Sequence, residues 1–120
     1  MFTQRFIVPI VTAAGGGGVG YTPGFSGVIL AIIYQKTDYS NNVTLSAALE
    51  STGEVVLALA AGAMDSAGTW YPRKPVQKAA DGSAVGTYNV EPVAAANDRL
   101  VLTIAAGGNT HSGTFIVVVG

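Results

Sequence analysis

The sequence has no cysteine, one histidine (His111) and few charges, and it lacks any apolar run long enough to span a membrane. The missing cysteine excludes a disulfide scaffold, zinc–thiolate sites, iron–sulfur clusters and a cysteine nucleophile. With a lone histidine, a metal site would have to be built from carboxylates. The seven acids are scattered, so neither a metal nor a cofactor is expected. Charged residues make up 11% of the chain, less than half the usual share, so the surface must show apolar and small polar groups or cover them with partner subunits. Six basic against seven acidic residues give a net charge of −1. That balance draws in neither nucleic acid nor an anionic membrane.

Between Phe6 and Gln35 there is no charge at all, yet Gly15–Gly18, Pro23 and Gly24 interrupt the stretch, and its continuous apolar part, Val28–Tyr34, is too short for a transmembrane helix. By that test the chain reads as soluble. The N-terminus has a cation at Arg5 and an apolar run at Phe6–Val11, but the run contains Pro9 and is short for a signal peptide. The alternation Phe2, Gln4, Phe6, Val8, Ile10 reads instead as a first strand.

The 120 residues suit one domain, 1–120, and an apolar fraction of 49% argues against disorder. Sixteen glycines, with Asn, Asp and Ser clusters, punctuate short runs of Val, Ile, Leu, Thr, Tyr and Phe, the pattern of an antiparallel β-sandwich. Strands are expected at Gln4–Thr12, Val19–Thr22, Gly27–Lys36, Val43–Glu50, Glu54–Leu59, near Thr69–Arg73, Val85–Val90, Arg99–Ala106 and Gly113–Val119. Leu57–Ala67 and Pro92–Asp98 allow short helical turns at most. Turn chemistry predicts hairpins at Ser51–Gly53 and Gly107–Ser112, and Asp38–Asn42 is expected to join another antiparallel pair. Val43, Leu45, Ala47 and Leu49 alternate with polar or small residues, so that strand has one wet face. Val28–Tyr34 and Phe115–Val119 are apolar on both faces and so should be covered twice, by the second sheet and by a partner subunit.

Chemical motifs are weak. Gly15–Gly20 satisfies G-x-G-x-x-G, but Tyr21-Thr22-Pro23-Gly24 cannot open the phosphate-binding helix that motif requires. His111 and Ser112 are adjacent on a strand or loop and point apart, so they form no catalytic pair. Glu50 and Glu54 flank a convex turn, not a cleft of the kind a glycosidase pair needs. No enzyme is expected. The distinctive cluster is Trp70-Tyr71-Pro72-Arg73-Lys74-Pro75, with Lys78 nearby: half the cations and the only tryptophan. Trp, Tyr and Arg dominate binding hot spots, and the prolines stiffen the segment. The same composition also suits a strand edge with a core tryptophan and solvated cations.

The run from Asn97-Asp98-Arg99 through Gly107-Gly108-Asn109 to Phe115, ending Ile116-Val117-Val118-Val119-Gly120, resembles the C-terminus of small virion proteins of tailed bacteriophages. Arg5-Phe6-Ile7-Val8-Pro9, Ser26-Gly27, Tyr34-Gln35-Lys36 and Tyr71-Pro72-Arg73 resemble the same family in the same order. Gly15–Gly18 and the alanine-rich Leu57–Ala67 depart from its pattern. The resemblance implies a jelly-roll sandwich of about eight strands acting as a cement or decoration protein of a phage head. Such a protein is made in the host cytoplasm, sits on the outer capsid surface as a homo-oligomer (dimer favoured, trimer possible) and staples neighbouring major capsid proteins. Phe2, Trp70, Tyr71, Arg73 and Lys74 are the expected contacts, with Arg73 gripping a carboxylate. The alternative is a carbohydrate- or receptor-binding module of a head fibre or tail, with Trp70, Tyr71, Tyr88 or Tyr39 as flat platforms.

Overall fold

The computed structural model describes residues 3–86 and 90–120. Among them there is no helix, and ten strands make two antiparallel sheets. The strands are β1 (Gln4–Val11), β2 (Gly18–Tyr21), β3 (Phe25–Lys36), β4 (Thr44–Leu49), β5 (Val55–Leu59), β6 (Gly68–Trp70), β7 (Arg73–Pro75), β8 (Val90–Asp98), β9 (Leu100–Ala105) and β10 (Ser112–Val119). One sheet runs β1-β10-β3-β8-β7, with β6 also on β3; the other runs β2-β9-β4-β5.

The pairings are nested. β4 lies against β5, β3 against β8, β2 against β9 and β1 against β10. The chain is thus one long ribbon doubled back at Ser51–Gly53 and rolled so that successive pairs alternate between sheets. Ladders β10–β3 and β9–β4 close the roll. This is the eight-strand jelly roll, with β6 and β7 as short additions from the segment between β5 and β8.

Alternation places the core between the sheets. Leu45, Ala47 and Leu49 of β4 and Leu100, Leu102 and Ile104 of β9 meet Ile29, Ile32 and Tyr34 of β3 and Phe115, Val117 and Val119 of β10. The Ser51–Gly53 hairpin forms as expected, with Gly53 at φ 72°.

The other two connections are not hairpins. Asp38–Asn42 and Gly107–Ser112 are arches that carry the chain from one sheet to the other, because β4 and β9 belong to the sheet opposite β3 and β10. Ala106, Gly108 and Thr110, all at positive φ, turn the second arch. Thr12 fastens it, its hydroxyl bonded to Gly108 O and its backbone N–H donating to His111 O. Pro92–Asp98 is also extended: it is most of β8, with Val93 and Ala95 buried and Ala94 and Ala96 exposed. Leu57–Leu59 belongs to β5, and Ala60–Ala67 forms turns that bury Met64. The extended piece at Thr69–Arg73 divides into β6 and β7, and the expected strand at Val85–Val90 falls partly on residues 87–89, outside the described residues.

Candidate functional site

The segment Gly68–Pro75 crosses the margin of the larger sheet. β6 pairs Trp70 with Ile32 of β3, so Trp70 shares the inward face of Ile32 and packs partly against the core. The next residue, Tyr71, turns outward and is 64% exposed, while Pro72 is buried. β7 then pairs with β8, Arg73 opposite Pro92 and Lys74 opposite Glu91.

Beside β3, β6 stops at the level of Ile32 and β8 begins at Ile29. Arg73 spans the gap between them. Its Nη1 donates to Leu30 O at 3.1 Å and to Pro72 O at 2.7 Å. Its guanidinium carbon lies 6.0 Å from the Tyr71 ring centroid. Two main-chain acceptors fix one nitrogen, and Arg73 makes no ion pair among the described residues. The Nε–Nη2 edge presents two parallel N–H groups, the geometry that grips a carboxylate. Lys74 is less free: its Nζ lies 3.7 Å from Glu91 Oε1, both half-exposed, a weak solvated pair.

The five expected contact residues therefore separate. Tyr71 and Arg73 are brought together on the rim, Lys74 sits next to them in a loose pair, Trp70 faces mainly inward, and Phe2 lies outside the described residues. Among the aromatic platforms of the alternative reading, Tyr39 is a core residue whose hydroxyl donates to Ile10 O at 2.6 Å, and it cannot present a flat face to a ligand. Tyr88 lies outside the described residues.

A second polar cluster was not legible in the sequence, because it joins residues from three distant segments. Arg99 makes two bonds to Glu50, at 2.8 and 2.6 Å, and its guanidinium lies 4.2 Å above the Tyr21 ring. The Glu50 carboxylate raises the Arg99 pKa. Asp98 next door accepts from the Ser51 hydroxyl and from the backbone N–H groups of Arg99 and Ser51, and these bonds, the hydroxyl first, hold its carboxyl below its ordinary value. This cluster clasps the Ser51 turn to the β8–β9 corner. Its charges are already satisfied within the fold.

The remaining motifs are structural. His111 Nδ1 is 3.1 Å from Gly107 O and 3.4 Å from Ser40 Oγ, inside the arch, and among the described residues no carboxylate bonds to its ring. The Gly15–Gly18 loop feeds β2, not a helix. Among the described residues no three His, Asp or Glu side chains gather as metal ligands, and no pocket opens.

No family model matches the chain, and no curated protein matches it. A solved structure described as the crystal structure of FLHE is similar over 99% of this chain and 98% of its own, at 12% identity and a TM-score of 0.46. A likeness of that degree assigns neither family nor function.

Proposed function

We propose that the chain is a structural protein of a virus particle, a decoration protein that holds the outer surface of a phage head and staples neighbouring major capsid proteins as a homo-oligomer. The observation that carries this reading is the Tyr71–Arg73 rim: an exposed ring beside an arginine anchored on main-chain carbonyls, with its fork edge left for a carboxylate of another protein. Pre-ordering of this kind lowers the entropy lost on docking. The charge-poor surface and the jelly roll, which fits the resemblance seen in the sequence, support it. The reading needs no cofactor and no catalysis.

Quantitative peptide mass spectrometry on purified particles tests it. A copy number near that of the major capsid protein is expected, and absence from the particle would overturn it. A second reading, a carbohydrate- or receptor-binding module of a head fibre or tail, draws on the exposed Tyr71 ring. A few copies per particle together with saccharide-specific binding on a glycan array would favour that reading instead.

A further inference from the structure

β1 is the longest free strand edge among the described residues. It has eight residues and pairs with β10 alone, whereas the other edge strands, β2, β5, β6 and β7, have four, five, three and three. Thr12 shows which way its backbone groups point, since the Thr12 N–H donates to His111 O. Counting back in twos along the same register, Ile10, Val8, Phe6 and Gln4 turn their backbone groups to Gly113, Phe115, Val117 and Val119. Those of Arg5, Ile7 and Pro9 therefore point away from β10, to the open side. The side chains of these three residues and of Val11 stand on the solvent face, Ile7 61% and Val11 60% exposed. Phe6–Val11 is also an uncharged run of strand formers. Bare backbone beside an apolar, uncharged face is the setting in which a further strand adds to a sheet.

We propose that Pro9 is a guard residue, whose missing N–H and ring close the open edge of β1 to strand addition by another chain. Pro9 stands opposite Thr114 in a pair whose backbone groups do not bond each other, so the ladder to β10 loses no hydrogen bond to it. The proline removes only a donor that faces outward. Without it the open row would offer N–H groups at positions 5, 7 and 9 in succession. With it the row stops after two levels, and the ring Cδ stands where an incoming carbonyl would approach. Nothing else in Phe6–Val11 interrupts pairing, since the run holds neither charge nor glycine. The other edges are blunted in other ways. β2 is short and carries Gly18 and Gly20, β6 and β7 are shorter still, and β5 is bent by the bulge opposite Ala47 and Ala48. The guard is independent of the virion reading, since it concerns the chain alone. Copies that associate do so elsewhere than along this edge.

Pro9→Thr restores the N–H and keeps strand propensity, and sedimentation velocity of the purified chain at about 100 µM is the test. Its melting temperature should stay within about 5 °C of wild type, because no native hydrogen bond changes. It should form species larger than those of wild type, growing with concentration. Two double variants separate backbone pairing from a sticky face. Adding Ile7→Thr to Pro9→Thr removes the exposed aliphatic but leaves the row open, and association should persist. Adding Ile7→Pro instead blocks the same row one level away, and the size should return to that of wild type. Hydrogen exchange gives a readout that does not depend on the double variants folding. The Ile7 amide should exchange fast in wild type and about tenfold more slowly in associated Pro9→Thr. Slow exchange of Ile7 in wild type would show an edge already covered and would overturn the proposal. So would a Pro9→Thr variant that keeps the wild-type size or melts far below it, or an association that Ile7→Thr abolishes and Ile7→Pro does not.

Discussion

Arg73 donates from Nη1 to the Leu30 carbonyl at 3.1 Å, in the gap at Leu30 and Ala31 between the part of β3 that pairs with β8 and the part that pairs with β6. The guanidinium therefore stands in for a missing strand neighbour while its other edge faces solvent. Arg73→Ala should lower stability by about 1 kcal/mol, as for two hydrogen bonds at a solvent-exposed side chain. If the chain is the proposed decoration protein, capsid attachment should fall at least tenfold, measured by co-sedimentation with particles lacking the protein. Arg73→Lys keeps the charge without the fork and should also attach poorly. Unchanged attachment for both variants would remove Arg73 from the contact.

Tyr34 and Tyr39 stack with ring centroids 6.0 Å apart, but only Tyr39 has a partner for its hydroxyl; that of Tyr34 is buried without one. Tyr34→Phe should leave stability unchanged or raise it by up to about 1 kcal/mol, whereas Tyr39→Phe strands the Ile10 carbonyl and should cost about 1–2 kcal/mol. Urea titration separates the two. Burial, more than any neighbouring charge, raises both phenol pKa values above their ordinary value of 10.0. Their neutral forms are favoured in the fold, so their contribution is intact below about pH 10 and is lost as pH climbs beyond it. Melting temperature should fall steeply on that alkaline side, and less steeply in Tyr39→Phe.

Gly20 faces inward from β2, where an added methyl would stand 2.7 Å from Val8 Cγ1 and Ile10 Cγ1. Gly20→Ala should cost about 1–3 kcal/mol by overpacking. Gly15→Ala meets nothing within 4 Å and should be close to neutral. Thermal melts of the two variants give the comparison.

Asp98 supplies the acid limb. Its carboxyl is held below its ordinary value chiefly by the Ser51 hydroxyl. A lowered folded pKa means that the stabilisation is present above about pH 4 and disappears as pH falls through the folded value. Asp98→Asn should flatten the loss of stability below about pH 4. An acid limb identical to that of wild type would show that other carboxylates set it.

Local chemistry made the Ser51–Gly53 hairpin and the one-sided β4 legible in the sequence, since turn and alternation lie within a few residues. The Gly107–Ser112 arch was not, because the same glycine-rich turn serves a hairpin or a crossing, and only the distant partners β2 and β4 decide which. β8 was hidden by its alanines: Ala94, Ala95 and Ala96 carry no polar contrast, so its period of two is visible only in the burial of Val93 and Ala95. At the site, the Tyr71–Arg73 pair was readable from composition. The inward turn of Trp70 followed from its register against Ile32, which no local signal gives.

The nesting of the ladders also sets an order of assembly. Once the Ser51–Gly53 turn has brought β4 and β5 together, each further pair encloses a longer loop, ending with Gln4 against Val119. Closure entropy grows outward in the same sequence, so the roll zips from its tip and the terminal strands dock last. Until that last step the register row Ile7, Ile116 and Ile33 cannot form, since Ile7 and Ile116 come from those two late strands. The two ends of the chain therefore complete the larger sheet only after β2 and β9 have closed the smaller one.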